Sequence, residues 1–110
     1  MAVTPKRARE FALSLENTSA APHFDRTAFR TPRRIFATLA RSGQDINFMF
    51  DLALQKDFCA RAPAAFAPVP GGWGRMGATR CDLSKVDART FRAALEAAHA
   101  RANAPRARSK

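Results

Sequence analysis

The stretch "HFDRTAFRTPRRIFATLARSGQDINFMFD" (residues 23–51) carries the clearest signal of architecture in the chain. Within it, "HFDRTAFRT" alternates around Thr27 and Phe29. "RRIFATLARS" sets Ile35, Ala37 and Leu39 on one side, and "INFMFD" does the same with Ile46, Phe48 and Phe50. Alternation with a period of two marks half-buried strands. The runs are separated by "TPRR", broken at Pro32, and by "SGQD", both turn sequences. Three short strands joined by tight turns predict an antiparallel meander.

Helical spacing flanks this core on both sides. In "TPKRAREFALSLEN" (4–17), Ala8, Phe11, Ala12 and Leu15 recur at i, i+3, i+4 and i+7, which predicts a helix over about 4–16. Thr4 and Pro5 supply its N-cap and first position. "TSAAP" (18–22) then ends it. A second helix is expected over about 52–62, with Leu54, Phe58 and Ala62 as its stripe. The proline-rich "APAAFAPVPGG" (62–72) leads out of it. "ATRCDL" (78–83) is a further strand with Thr79, Cys81 and Leu83 on one face. A last helix over 87–103 repeats Phe91, Ala94, Leu95, Ala98 and Ala102, with Asp87 or Ser84 as its cap. The order predicts an α+β fold of two layers, an antiparallel sheet with helices on one face.

Length and charge bound the rest. A chain of 110 residues is one ordinary domain, expected over 1–103, followed by a disordered basic tail, "APRARSK" (104–110). No apolar run is long enough to span a membrane, and "MAVTPKRARE" lacks the apolar run of a signal peptide. Cys59 and Cys81 are too few to staple a secreted scaffold, so a cytoplasmic protein with reduced, unpaired thiols is expected. Net charge is +10. Only three bases lie in 104–110; residues 20–103 hold 13 bases against 7 acids. A body so charged attracts polyanions or resists self-association. A monomer is the expected state.

"PHFDRTAFRTPRRIFATL" followed by "PGGWGRMGATRCDL" resembles the MmcQ/YjbR family of small bacterial proteins. The resemblance spans about 20–100 and is most specific in 29–39 and in "GGWGRMGAT" (71–79). It implies an antiparallel sheet with elements in the order αβββαββα, and hence one more strand near 66–70. Family members are described as DNA-binding proteins. This chain departs from the pattern at Ala78, where relatives often carry a second Trp, and at Pro32, near a family Gly.

No catalytic constellation stands out, so no enzyme is expected. His23 and Asp25 fall at i, i+2 and would share a strand face, which could orient an imidazole. His99 sits beside the apolar stripe of the last helix and reads as structural. His23, Asp25, Cys59 and Cys81 lack metal-ligand spacing, so neither metal nor cofactor is expected. "GGWGRMG" is neither a Walker loop nor a dinucleotide fingerprint.

Trp73, the one tryptophan, lies among four of the five glycines in "VPGGWGRMGAT" (69–79). It has two readings: a lid folded over the end of a thin core, or a half-exposed indole between Arg75 and Arg80 that stacks on bases. If Phe29, Ile35, Phe48 and Leu83 face the helices, then Arg26, Arg30, Arg34, Phe36, Asn47, Met49 and Arg80 face outward. The bland alternative is that these arginines pair with Asp25, Asp45 and Asp82. Two functions are compatible with this face. One is a weak DNA- or RNA-binding module with Arg30, Arg34, Trp73, Arg75 and Arg80 as its site. The other is an adapter that docks a protein or small ligand on the open sheet face.

Overall fold

A computed structural model describes residues 2–104. Helix α1 (Pro5–Leu13) begins where expected: Thr4 Oγ1 accepts the backbone N–H of Arg7 at 3.1 Å, with Pro5 in the first turn. Strands β1 (Ser19–His23), β2 (Arg26–Arg30), β3 (Ile35–Ala40) and β4 (Asp45–Phe48) come next. Helix α2 (Leu52–Arg61) is capped by Asp51, whose carboxylate accepts from Leu54 N at 2.9 Å. After β5 (Phe66–Pro68), the one-turn α3 (Gly72–Arg75) and β6 (Thr79–Asp82) comes α4 (Ala88–Asn103). Its cap is Asp87, which accepts from Thr90 N at 2.7 Å; the hydroxyl of Ser84 donates instead to Asp82.

All six strands form one antiparallel sheet in the order β1-β2-β3-β4-β6-β5. This is the α+β class expected from the sequence. Two elements differ from the expected order. "TSAAP" does more than end a helix: Ser19–His23 pairs with β2 as an outer strand. Ala20 is its only half-buried residue, so the segment shows no apolar alternation, and an outer strand tolerates Pro22. The second addition is α3, inside the glycine-rich stretch. The strand near 66–70 that the resemblance implies is present as β5.

The apolar core lies on the helix side of the sheet. Phe29, Phe36, Ile46 and Phe48 meet Phe58 of α2, Phe91 and Leu95 of α4, and Ala8 and Ala12 of α1. Phenylalanines run through it in series: Phe48 to Phe50 at 5.2 Å, Phe50 to Phe58 at 5.2 Å and Phe58 to Phe66 at 5.4 Å between ring centroids. Such pairs add to area burial, so a thin core of phenylalanines holds well. His99 packs against the core: its Nε2 lies 2.8 Å from the Glu16 carbonyl and its ring packs edge-on to Phe36.

One register feature corrects the expected faces. Phe29 pairs with Ala37, but Arg30 pairs with Ile35, so Phe36 is an extra residue in β3. A bulge of this kind breaks the period of two and swaps the faces of the residues on its far side. Phe36 and Ala37 are both fully buried, while Ile35 turns to the opposite face. The expectation that Ile35 faced the helices and Phe36 faced outward is thereby reversed. The tail expected to be disordered falls, from residue 105, outside the described residues.

A candidate binding groove on the open face of the sheet

Opposite the core, the sheet floors a groove of about 540 Å³. Its centre is the neighbouring pair Thr38 and Asn47, one on β3 and one on β4. At one end stand Ile35, Met49, Val69 and Ala78, together with Trp73 of α3. At the other end the β1–β2 hairpin contributes His23, Phe24, Asp25 and Arg26. An apolar concavity with a few convergent polar groups is the usual form of a ligand site.

Trp73 is not a core lid: it is 69% exposed and lies on the open side. The glycines around it explain why it stays there. A Cβ on Gly74 would fall 1.7 Å from the Val69 carbonyl oxygen, so this turn closes on itself only with glycine. Gly77 has φ +125°, and a Cβ there would meet the Phe50 carbonyl oxygen at 2.2 Å. The Gln55 side chain of α2 donates to the carbonyls of Gly74 (2.8 Å) and Ala78 (3.1 Å). The segment that looks most deformable in sequence is therefore a packed support that holds the indole out.

The charged groups are tied down unevenly. Arg26 Nε donates to Thr38 Oγ1 at 2.9 Å, and its Nη2 donates to the Thr38 carbonyl and to Asp45 Oδ1, both at 2.8 Å. Arg80 Nη2 reaches the other carboxylate oxygen of Asp45 at 3.3 Å. One aspartate is thus shared between two arginines of the open face. Of the five residues singled out in the sequence, Trp73 alone lines the groove. Arg30 is exposed at the end of β2, and Arg34 sits half-buried in a turn held by the Thr31 hydroxyl. Arg75 is exposed at the end of α3.

Asn47, Met49 and Arg26 were legible as outward residues from alternation. Phe24, Ile35, Thr38 and Val69 were not. The signal for Phe24 was present in the two-residue gap of "HFDR", once His23 and Arg26 are seen to pair across it. That turn also separates His23 from Asp25, so the two do not share a strand face; His23 packs edge-on to the Phe24 ring at 4.9 Å.

Cys59 and Cys81 are both free thiols. Burial, reinforced by the Asp82 and Asp45 carboxylates, pushes the Cys81 thiol up to about 12, so it is inert as a nucleophile at neutral pH. Burial also raises Cys59. Among the described residues, no three His, Cys, Asp or Glu side chains converge on a metal-sized space. No helix among them is long and apolar enough to cross a membrane.

No protein-family model matches the sequence, and no curated protein matches it. Among solved structures, the chain is similar to the crystal structure of Deinococcus radiodurans protein DR2400, which carries the family-model domain DUF419. The match has a TM-score of 0.70 at 14% identity and covers 86% of this chain and 75% of that one. At 14% identity this likeness bears on the fold alone, and it agrees with the α+β architecture expected from the sequence.

Proposed function

We propose that the protein is a non-enzymatic binding module for single-stranded nucleic acid that works through the open face of its sheet. The observation that carries this reading is Trp73: an indole, 69% exposed, that lines an apolar groove in a basic body. An exposed aromatic on a rigid support accepts any base by stacking. The guanidinium groups of Arg30, Arg34, Arg75 and Arg80 would contact phosphates. Most of the affinity would then be electrostatic and independent of sequence.

One observation favours the second reading, a docking site for a small apolar ligand or a protein segment. Asp45 neutralises part of the charge of Arg26 and Arg80, so the groove itself is less basic than its rim. Salt separates the two readings. With about four phosphates contacted, log K for a single strand should fall with log salt at a slope of roughly −3. Fluorescence anisotropy across a salt series, on the full chain and on one ending at Asn103, checks it. A flat salt dependence favours apolar docking. Binding that disappears with residues 104–110 while surviving Trp73→Ala assigns the activity to the tail and removes the open face from it.

A further inference from the structure

Phe24 is the one phenylalanine that does not serve the core. Seven of the nine lie in the buried cluster and Phe11 packs against it, whereas Phe24 is 94% exposed. It is the first of two central residues in the turn joining β1 and β2, across which His23 pairs with Arg26. Its φ is +59°, while Asp25 has no positive φ. That is the sign pattern of a II′ hairpin turn, whose first central position favours glycine because any Cβ is crowded there. A bulky aromatic at this position strains the backbone, and its exposure returns no burial. Beyond an edge-on contact with the neighbouring His23 ring, folding gives no reason for Phe24, and a strained residue on a surface points to function.

Its position supplies the reason. Phe24 lines one end of the groove and Trp73 the other. From the Arg26–Ala40 row to the bulge at Phe36 is four residues of strand, roughly 13 Å at strand rise. A stacked strand advances about 3.4 Å per nucleotide, so about four stacked nucleotides, or roughly two to three in an extended strand, span the distance. The Asn47 amide lies on the floor between, where it offers both a donor and an acceptor to a base edge. The charge of residues 20–103, 13 bases against 7 acids, suits a polyanionic occupant better than a neutral one. We infer that Phe24 is a second stacking platform, and that the groove holds a short run of unpaired nucleotides whose outer bases lie on Phe24 and Trp73. The inference rests on the nucleic-acid reading above.

The chain reports on this directly, because Trp73 is its only tryptophan and it has no tyrosine. Trp73 emission, excited at the red edge, is titrated with thymidine monophosphate and with trithymidylate. The proteins are the full-length chain, Phe24→Asn and Phe24→Tyr. Asparagine accepts a positive φ, so Phe24→Asn should leave the thermal midpoint unchanged or raise it. It should weaken trithymidylate on the order of tenfold and leave the mononucleotide unaffected, while Phe24→Tyr keeps the parent affinity. Trithymidylate affinity that ignores Phe24→Asn would overturn the inference while leaving the nucleic-acid reading standing. A lowered midpoint together with lost binding would make Phe24 a structural residue and overturn it too. If neither nucleotide nor longer single strands bind the parent chain, the nucleic-acid reading fails and takes the inference with it.

Discussion

Each face of the sheet uses aromatic side chains, in opposite ways. On the helix side, Phe29, Phe36 and Phe48 are fully buried, with Phe48 packed against the Phe50, Phe66 and Phe91 rings and Phe36 edge-on to His99. On the open side, Trp73 and Phe24 stand largely in solvent at the two ends of a groove. The core rings are held by burial and by contact with one another, and their positions depend on strand pairing. The two exposed rings have no burial to hold them, so their backbone must present them: a glycine-packed turn for Trp73 and a two-residue hairpin turn for Phe24. The same residue class is thus a folding group on one face and a candidate contact group on the other.

Truncating a core ring should have the largest effect. Phe48 packs on Phe50, Phe66 and Phe91, so Phe48→Ala should cost about 3–5 kcal/mol in urea unfolding. Any loss of ligand binding should match the unfolded fraction; a folded Phe48→Ala protein with lost binding would contradict the division of labour between the faces.

The core side also carries the strongest pH signature. Cys81 stays a neutral thiol in the fold up to about 12, whereas an unfolded thiol titrates near 9.0. The unfolded state therefore releases its proton first, and stability should fall as pH rises from 9.0 towards 12. Urea midpoints measured across that window, compared with Cys81→Ala, should show a steeper decline in the parent chain; equal declines would place the cause elsewhere.

Next in size are the two substitutions that separate the support of Trp73 from its ring. Gly74→Ala forces a methyl against the Val69 backbone and should destabilise by about 1–3 kcal/mol, with a shift in tryptophan emission as the indole moves. A neutral Gly74→Ala would mean that the turn yields. Trp73→Ala should leave stability within about 0.5 kcal/mol, because the ring is exposed, yet weaken single-strand binding by about 1–3 kcal/mol.

Asp45→Asn probes the charge of the open face and should have the smallest effect. It releases Arg80 and loosens Arg26, so polyanion binding should tighten by less than about 1 kcal/mol and its salt slope should steepen. Weaker binding in this variant would show that Asp45 orients the arginines for contact.

Much of this fold was legible in residue spacing. The caps Thr4 and Asp87, the stripes of α1 and α4, and the three strands of 26–48 arise from local chemistry that the tertiary structure leaves in place. The candidate site was legible only in fragments. Alternation along β4 found Asn47 and Met49, but β1 left no trace because it is an exposed outer strand of small residues beside a proline. Without β1 there is no hairpin turn at Phe24, and so no second wall to the groove.

Residue order alone was enough for the α+β class, the helix starts and the basic balance of the body. These depend on periodicity, capping and composition, which are local or additive properties of the chain. The faces taken by Ile35 and Phe36 needed the folded molecule, because one extra residue in β3 inverts the pleat and is defined only against its partner strand. So did the bridging of Arg26 and Arg80 by Asp45, and the departure of Trp73 from the core to the open side. Those outcomes depend on contacts between segments that lie far apart in the chain, such as Gln55 with Gly74 and Asp45 with Arg80.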